Sequence, residues 1–181
     1  MISVNIKNIT KRDFIVTTFP QKQRLIMGAL SLLIASSSFA ATLTSQLYAT
    51  NGASLGQVSF EDSKYGLLIK PQLSGLPVGL HGFHIHQHPD CGDHGMSAGG
   101  HFDPSTTNSH QGPYGEGHLG DLPVLATNTN GEANIRLLAP RLTTQNIKGH
   151  AIMIHAGGDN YSDTPPLGGG GARIGCGKIP W

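Results

Sequence analysis

From residue 42 onward, apolar and polar residues alternate in short bursts. The runs TLTSQLYAT, SLGQVSFED, GLLIKPQL, LHGFHIHQH, EANIRLLAP and HAIMIHAG are separated by Gly, Asn, Asp and Pro. Period-two alternation of this length, bounded by turn residues, predicts β-strands. Helical periodicity is absent. TNGAS and NTNGEA each contain Asn-Gly, a strong short-range signal for a tight turn between strands. Several short strands without helices predict an all-β antiparallel sandwich or barrel. Two stretches break the rhythm. Residues 89–120 hold eight Gly and three Pro, and residues 156–172 contain GGDNYSDTPPLGGGG. Loops this long inside a compact domain are usually functional, and these two carry histidines, acids and a cysteine.

The first forty residues follow another pattern. KRDFIVTTFPQKQR supplies basic residues, LIMGALSLLIA an apolar run, and SSSFA a small-residue end. The apolar run is too short to span a bilayer as a helix. Basic flank, short apolar core and small-residue site predict an export signal, residues 1–40, cleaved after Ala40. One domain, residues 41–181, would remain. Five of the twelve Lys and Arg and one of the eleven acids lie in the leader, so the domain carries a net charge of −3. With no basic stripe left, nucleic acid is excluded as a partner. In an exported chain two cysteines, Cys91 and Cys176, read as a disulfide. Closing a loop of that length is worth roughly 4–5 kcal/mol in the chain-entropy description.

The candidate chemistry lies in the histidines. All ten fall between His81 and His155, and imidazole is the commonest protein ligand for metals. Alternation puts His84 and His86 on one face of a strand. His155 ends another strand. The first long segment offers His101, His110, His118 and, in HLGD, Asp121. Three nitrogens and one oxygen suit zinc; an all-imidazole set suits copper. The residue pattern alone leaves one metal or two open. His88 shares the parity of His84 and His86, but Pro89 is expected to end the strand there. His81 has the opposite parity, and His150 sits at odd spacing from His155, as a surface strand residue. His94 is read as a loop residue facing water.

GLHGFHIH, AGGHFDP, GEGHLGDLPVL, MIHAGGDNYSD and GGGGARIGCG, in this order over residues 43–179, resemble the copper–zinc superoxide dismutases of the bacterial secreted branch. The resemblance implies an eight-stranded antiparallel Greek-key barrel with two long functional loops. It implies one copper per subunit on His84, His86, His101 and His155, and one zinc on His101, His110, His118 and Asp121. His101 would bridge the two metals. Asp159 would hydrogen-bond His84 and His110, Cys91 would pair with Cys176, and Arg173 would lie beside the copper. The implied reaction is dismutation of superoxide, with His101 passing a proton and Arg173 offering a fixed charge to the anion. The implied setting is the periplasm, as a homodimer with a monomer as the alternative, since relatives include both, and with neither nucleic acid nor membrane as a partner once the leader is gone. Relatives commonly carry lysine where Thr164 stands, so weaker electrostatic steering is expected here.

Overall fold

The computed structural model describes residues 42–181; the expected leader, residues 1–40, lies outside the described residues. Among the described residues there are nine short strands, β1 (Leu43–Ala49), β2 (Ser54–Ser63), β3 (Gly66–Leu73), β4 (Leu80–His81), β5 (Phe83–His86), β6 (Leu125–Ala126), β7 (Leu137–Ala139), β8 (Ala151–His155) and β9 (Arg173–Lys178). Seven form one antiparallel sheet in the order β5-β8-β9-β1-β2-β3-β7, and β4 pairs with β6 in a ribbon. This is the expected all-β antiparallel barrel architecture. The run LHGFHIHQH accounts for the extra segment. It divides at Gly82, whose N–H donates to Gly157 O and whose carbonyl accepts the His155 N–H. The chain thereby passes from the ribbon into the main sheet. One α-helical turn, α1 (Thr144–Ile147), departs, besides two short 3-10 turns at Asp93–Ala98 and Pro166–Gly169, from the all-strand expectation. It is fixed locally by Thr143 and Asn146, and Asp62 accepts the Thr144 N–H at 2.7 Å.

Alternation sets which side chains reach the core. Leu67, Ile69 and Leu73 of β3 are buried, as are Leu47, Val58 and Phe60 of β1 and β2. On β5, Phe83 and Ile85 join this apolar core while His84 and His86 point to the opposite face. That face is also buried, because the two long loops cover it; His84 and His86 are both 0% exposed. Strand order matters here. β5 lies at one sheet edge beside β8, so His84 and His86 sit next to a strand some 65 residues later in the chain. A small second cluster, Ala98, Ala151, Met153 and Cys176 with Cys91 packed on it, holds the first loop against β8 and β9. The disulfide joins Cys91 to Cys176 across a Cα–Cα distance of 5.8 Å.

Candidate metal centre

Four backbone pairings bring the histidines together. β5 and β8 pair with His84 opposite Met153 and His86 opposite Ala151. His155 closes β8 opposite Arg173 of β9. Isolated bridges join His86 to His101 and His84 to Asp121, drawing the loop ligands onto the strand. As a result one donor atom each from His84, His86, His101 and His155 lies within 4.8 Å of the others.

The unpartnered atoms reveal what this arrangement fits. Six buried ring nitrogens make no hydrogen bond, namely His84 Nδ1, His86 Nε2, His101 Nε2, His110 Nδ1, His118 Nδ1 and His155 Nε2. Buried polar atoms ordinarily have partners, so six converging lone pairs mark a place for cations. The opposite nitrogens are held. His86 Nδ1 is 2.9 Å from Gly99 O and His155 Nδ1 is 3.0 Å from Gly171 O. His84 Nε2 and His110 Nε2 donate to the two oxygens of Asp159 at 2.7 and 2.8 Å. With those N–H groups donating outward, the inward nitrogens present lone pairs, which is how ligating imidazoles are oriented.

Around Asp121 a second set gathers. Its Oδ1 lies 2.9 Å from His101 Nδ1. His110 Nδ1 is 3.0 Å from Oδ2 and His118 Nδ1 is 3.4 Å from Oδ1, neither aligned as a hydrogen bond. Close but misaligned approach is expected of atoms aimed at a shared centre. The second tight donor group consists of His84, His101, His110 and Asp121, with His118 outside it. His84 is committed on one side to Asp159 and on the other to the strand histidines. His118, with its unpartnered Nδ1, faces Asp121. The two donor sets, four imidazoles and three imidazoles with a carboxylate, fit copper and zinc respectively.

Electrostatics favours the neutral, ligating form of the four clustered imidazoles His84, His86, His101 and His155, and the protonated form of His110. Burial, reinforced by neighbouring imidazoles, lowers His84 to about 3 and His86 to about 2. Burial also lowers His155, to about 4, and lowers His101. Burial pulls His110 down as well, but the carboxylates of Asp121 and Asp159 outweigh it and push this imidazole up to about 9. Burial alone would raise both acids; their histidine partners instead hold Asp121 and Asp159 well below the usual carboxylate range.

Arg173 and the disulfide act on one loop. The Arg173 guanidinium donates to Gly95 O at 2.5 Å and Gly99 O at 2.7 Å, and Cys176 on the same strand holds Cys91. Gly99 O also receives His86, so the arginine and a strand histidine share a carbonyl. A cavity of about 230 Å³ opens onto His101, lined by Gln87, Asp103, Asn108, His118 and Leu167. Its lining contains a carboxylate and no lysine or arginine.

The remaining histidines stand apart. His81 is buried, with its ring nitrogens 2.8 Å from His155 O and 2.9 Å from Pro77 O, so it supports the strand and faces away from the other imidazoles. His88 and His94 are exposed, since β5 ends at His86. His150 corrects the expectation of a surface strand residue. It precedes β8, half-buried, packs its ring tilted by 40° against Phe102 at a centroid distance of 4.1 Å and reaches Gln87 O at 2.9 Å, because the strand begins only at Ala151.

Sequence reasoning missed several supports. Asp163 accepts the His110 N–H at 2.8 Å and the Ser109 hydroxyl at 3.0 Å. Tyr161 receives the Val124 N–H at 2.9 Å, and Arg141 donates to Gly117 O and His118 O. The run DNYSD carries no usable signal for them, because Tyr161 has φ +58° and the segment bends there instead of alternating.

Residues 54–179 match the family model described as copper/zinc superoxide dismutase (SODC). A copper–zinc superoxide dismutase of Legionella pneumophila is 55% identical over 151 residues, covering 82% of this chain and 93% of the relative. The structure of the Brucella abortus Cu/Zn superoxide dismutase superposes with a TM-score of 0.73 at 42% identity, over 77% of this chain and 99% of that one. A monomeric copper, zinc superoxide dismutase from Salmonella enterica gives 0.67 at 45% identity, over 77% and 99%.

Proposed function

The chain belongs to the copper/zinc superoxide dismutase family, and from that premise we propose how its own residues serve the reaction. The protein uses copper and zinc, and converts two superoxide anions and two protons into one dioxygen and one hydrogen peroxide. We assign copper to His84, His86, His101 and His155, and zinc to His101, His110, His118 and Asp121. The observation that carries this reading is the set of six buried, unpartnered ring nitrogens that divide between those two groups.

Copper, when bound, supplies a one-electron couple, whereas zinc has no redox chemistry. The rest is the work of side chains. His84, His86 and His155 stay neutral under burial, and their outward N–H groups fix each ring. His101 has one nitrogen toward each set. Its Nε2, buried and unpartnered, is the atom that holds a proton and passes it to the reduced product, while Asp121 and the zinc-side ligands keep the ring in place. The second proton comes from solvent. Asp159 binds His84 and His110 at once and so couples the two sets through one carboxylate. Arg173, held by two carbonyls, keeps a fixed positive charge near His86 without rotamer freedom, and so orients a small anion. His155 and His101, 6% and 4% exposed, leave solvent only a narrow approach.

We further assign residues 1–40 to an export signal and place the protein in the periplasm. The Cys91–Cys176 disulfide supports an oxidising compartment. We assign a homodimer, supported by the exposed Val78 and Leu80 beside the β4–β6 ribbon; sedimentation of a single monomeric species at micromolar concentration would overturn it.

The test of the metal assignment is a comparison of His155→Ala with the parent protein after loading both metals. Copper content and superoxide removal should be lost while zinc remains near one per chain. Retained activity would refute the copper assignment.

A further inference from the structure

Regular secondary structure stops between His101 and β6, yet three of the four zinc-side ligands lie there. The segment is drawn into a neck. The His118 N–H donates to Ser109 O at 2.8 Å, so His110 and His118 emerge side by side from its two strands. Gly117 allows this closeness, because a Cβ there would stand 2.2 Å from Ser109 O. Two oppositely charged side chains grip the neck from outside. Asp163, from the loop between β8 and β9, accepts the backbone N–H of His110 and the hydroxyl of Ser109 at 2.8 and 3.0 Å. Arg141, from the connection between β7 and α1, donates to the carbonyls of Gly117 at 2.8 Å and His118 at 3.3 Å. A carboxylate meets donors and a guanidinium meets acceptors, so each charge completes the backbone group it faces. Neither side chain belongs to a metal-ligand group.

We propose that Asp163 and Arg141 are a pair of positioning residues that hold the two strands of this neck, and through them His110 and His118, at ligating separation for zinc. A ligand on irregular backbone must be held to about half an ångström. Here no helix or sheet does so, and the clamps supply the rigidity. Outer partners of metal ligands typically contribute about 10–100-fold in affinity. Asp163 acts from one long loop on the other, so the pair also ties the segment that carries Asp159 to the segment that Asp159 orients. The proposal rests on the zinc set assigned above.

The test uses protein stripped of metal and titrated with zinc and with copper against chromophoric chelators. Cobalt substituted for zinc reports coordination geometry through its visible absorption. Asp163→Ala and Arg141→Leu should each weaken zinc by at least about tenfold, change the cobalt spectrum, and leave copper affinity within a few-fold. Asp163→Asn, which keeps an oxygen for the His110 N–H, and Arg141→Lys should recover part of the loss and keep the fold intact. Zinc affinity and cobalt spectra equal to the parent's in Asp163→Ala and Arg141→Leu would overturn the proposal, as would equal weakening of copper and zinc in the folded conservative variants. His118→Ala separates the two readings. If it binds zinc as the parent does, the zinc assignment itself fails; if it loses zinc while the clamp variants do not, only the clamp fails.

Discussion

Gly168→Ala adds a single methyl group directly above the carboxylate that joins the two metal sets. Gly168 has φ +73°, and an added Cβ would stand 2.0 Å from Asp159 Oδ1 and 2.8 Å from His110 Nε2. Carbon and oxygen do not pack closer than about 3 Å, so the carboxylate or the loop must retreat by about 1 Å. Asp159 Oδ1 and Oδ2 receive His110 and His84 at 2.8 and 2.7 Å, and a shift of that size breaks at least one bond. A hydrogen bond to a charged group contributes about 1.5–3 kcal/mol, and a left-handed alanine costs about 1–2 kcal/mol. The expected destabilisation is therefore about 3–5 kcal/mol. Gly171→Ala is the internal control. Its φ is +68°, but a Cβ there meets nothing within 4 Å, so only the backbone penalty applies. Urea unfolding of both metal-free variants, followed by far-ultraviolet circular dichroism, gives the two losses. Chelator competition on the loaded proteins should show Gly168→Ala weakened for both metals and Gly171→Ala for neither. Equal destabilisation by the two substitutions would refute the idea that the glycine loop seats Asp159.

Replacing both Cys91 and Cys176 by Ala opens a closure of 85 residues, worth up to about 4.6 kcal/mol by chain entropy; a loss under about 1 kcal/mol in urea would show that the unfolded chain is not expanded by reduction. The pH dependence of the metal-free protein follows from its imidazoles. His84, His86 and His155 sit below the ordinary 6.5 when folded, so below pH 6.5 the unfolded chain takes up more protons and stability falls, by up to about 1.4 kcal/mol per pH unit for each ring. His110, raised to about 9, acts the other way, and its contribution is lost as pH rises from 6.5 through 9. Urea midpoints should therefore peak near pH 6.5, and a flat profile between pH 6.5 and 4.5 would contradict the burial of these neutral rings. Thr164→Lys should raise the rate constant for superoxide removal at low ionic strength and lose the gain at high salt, since the cavity at His101 is lined by Asp103 without a lysine or arginine; an unchanged low-salt rate would count against weak steering.

Much was legible in the chain alone. Alternation is a local property, so the strands, the shared face of His84 and His86 and the end of that strand before His88 follow from neighbours in sequence. The two cysteines that pair and the confinement of ten histidines to residues 81–155 are equally local or compositional. Parity also set His81 apart from the metal-facing strand residues. It could not sort His101, His110 and His118, whose segment has no period. Nor could it place His150, because a one-residue difference in where β8 begins decides whether that side chain belongs to the strand. The tertiary structure alone decided which nitrogen of each ring faces inward, since the carbonyls and carboxylates that hold the outer nitrogens come from distant segments. Gly99 lies 13 residues from His86, and Asp159 lies 75 from His84 and 49 from His110. The grip of Asp163 and Arg141 on the neck belongs to the same class. Those bonds depend on backbone groups left unpaired by irregular loops, and no local pattern of side chains records where such groups will point.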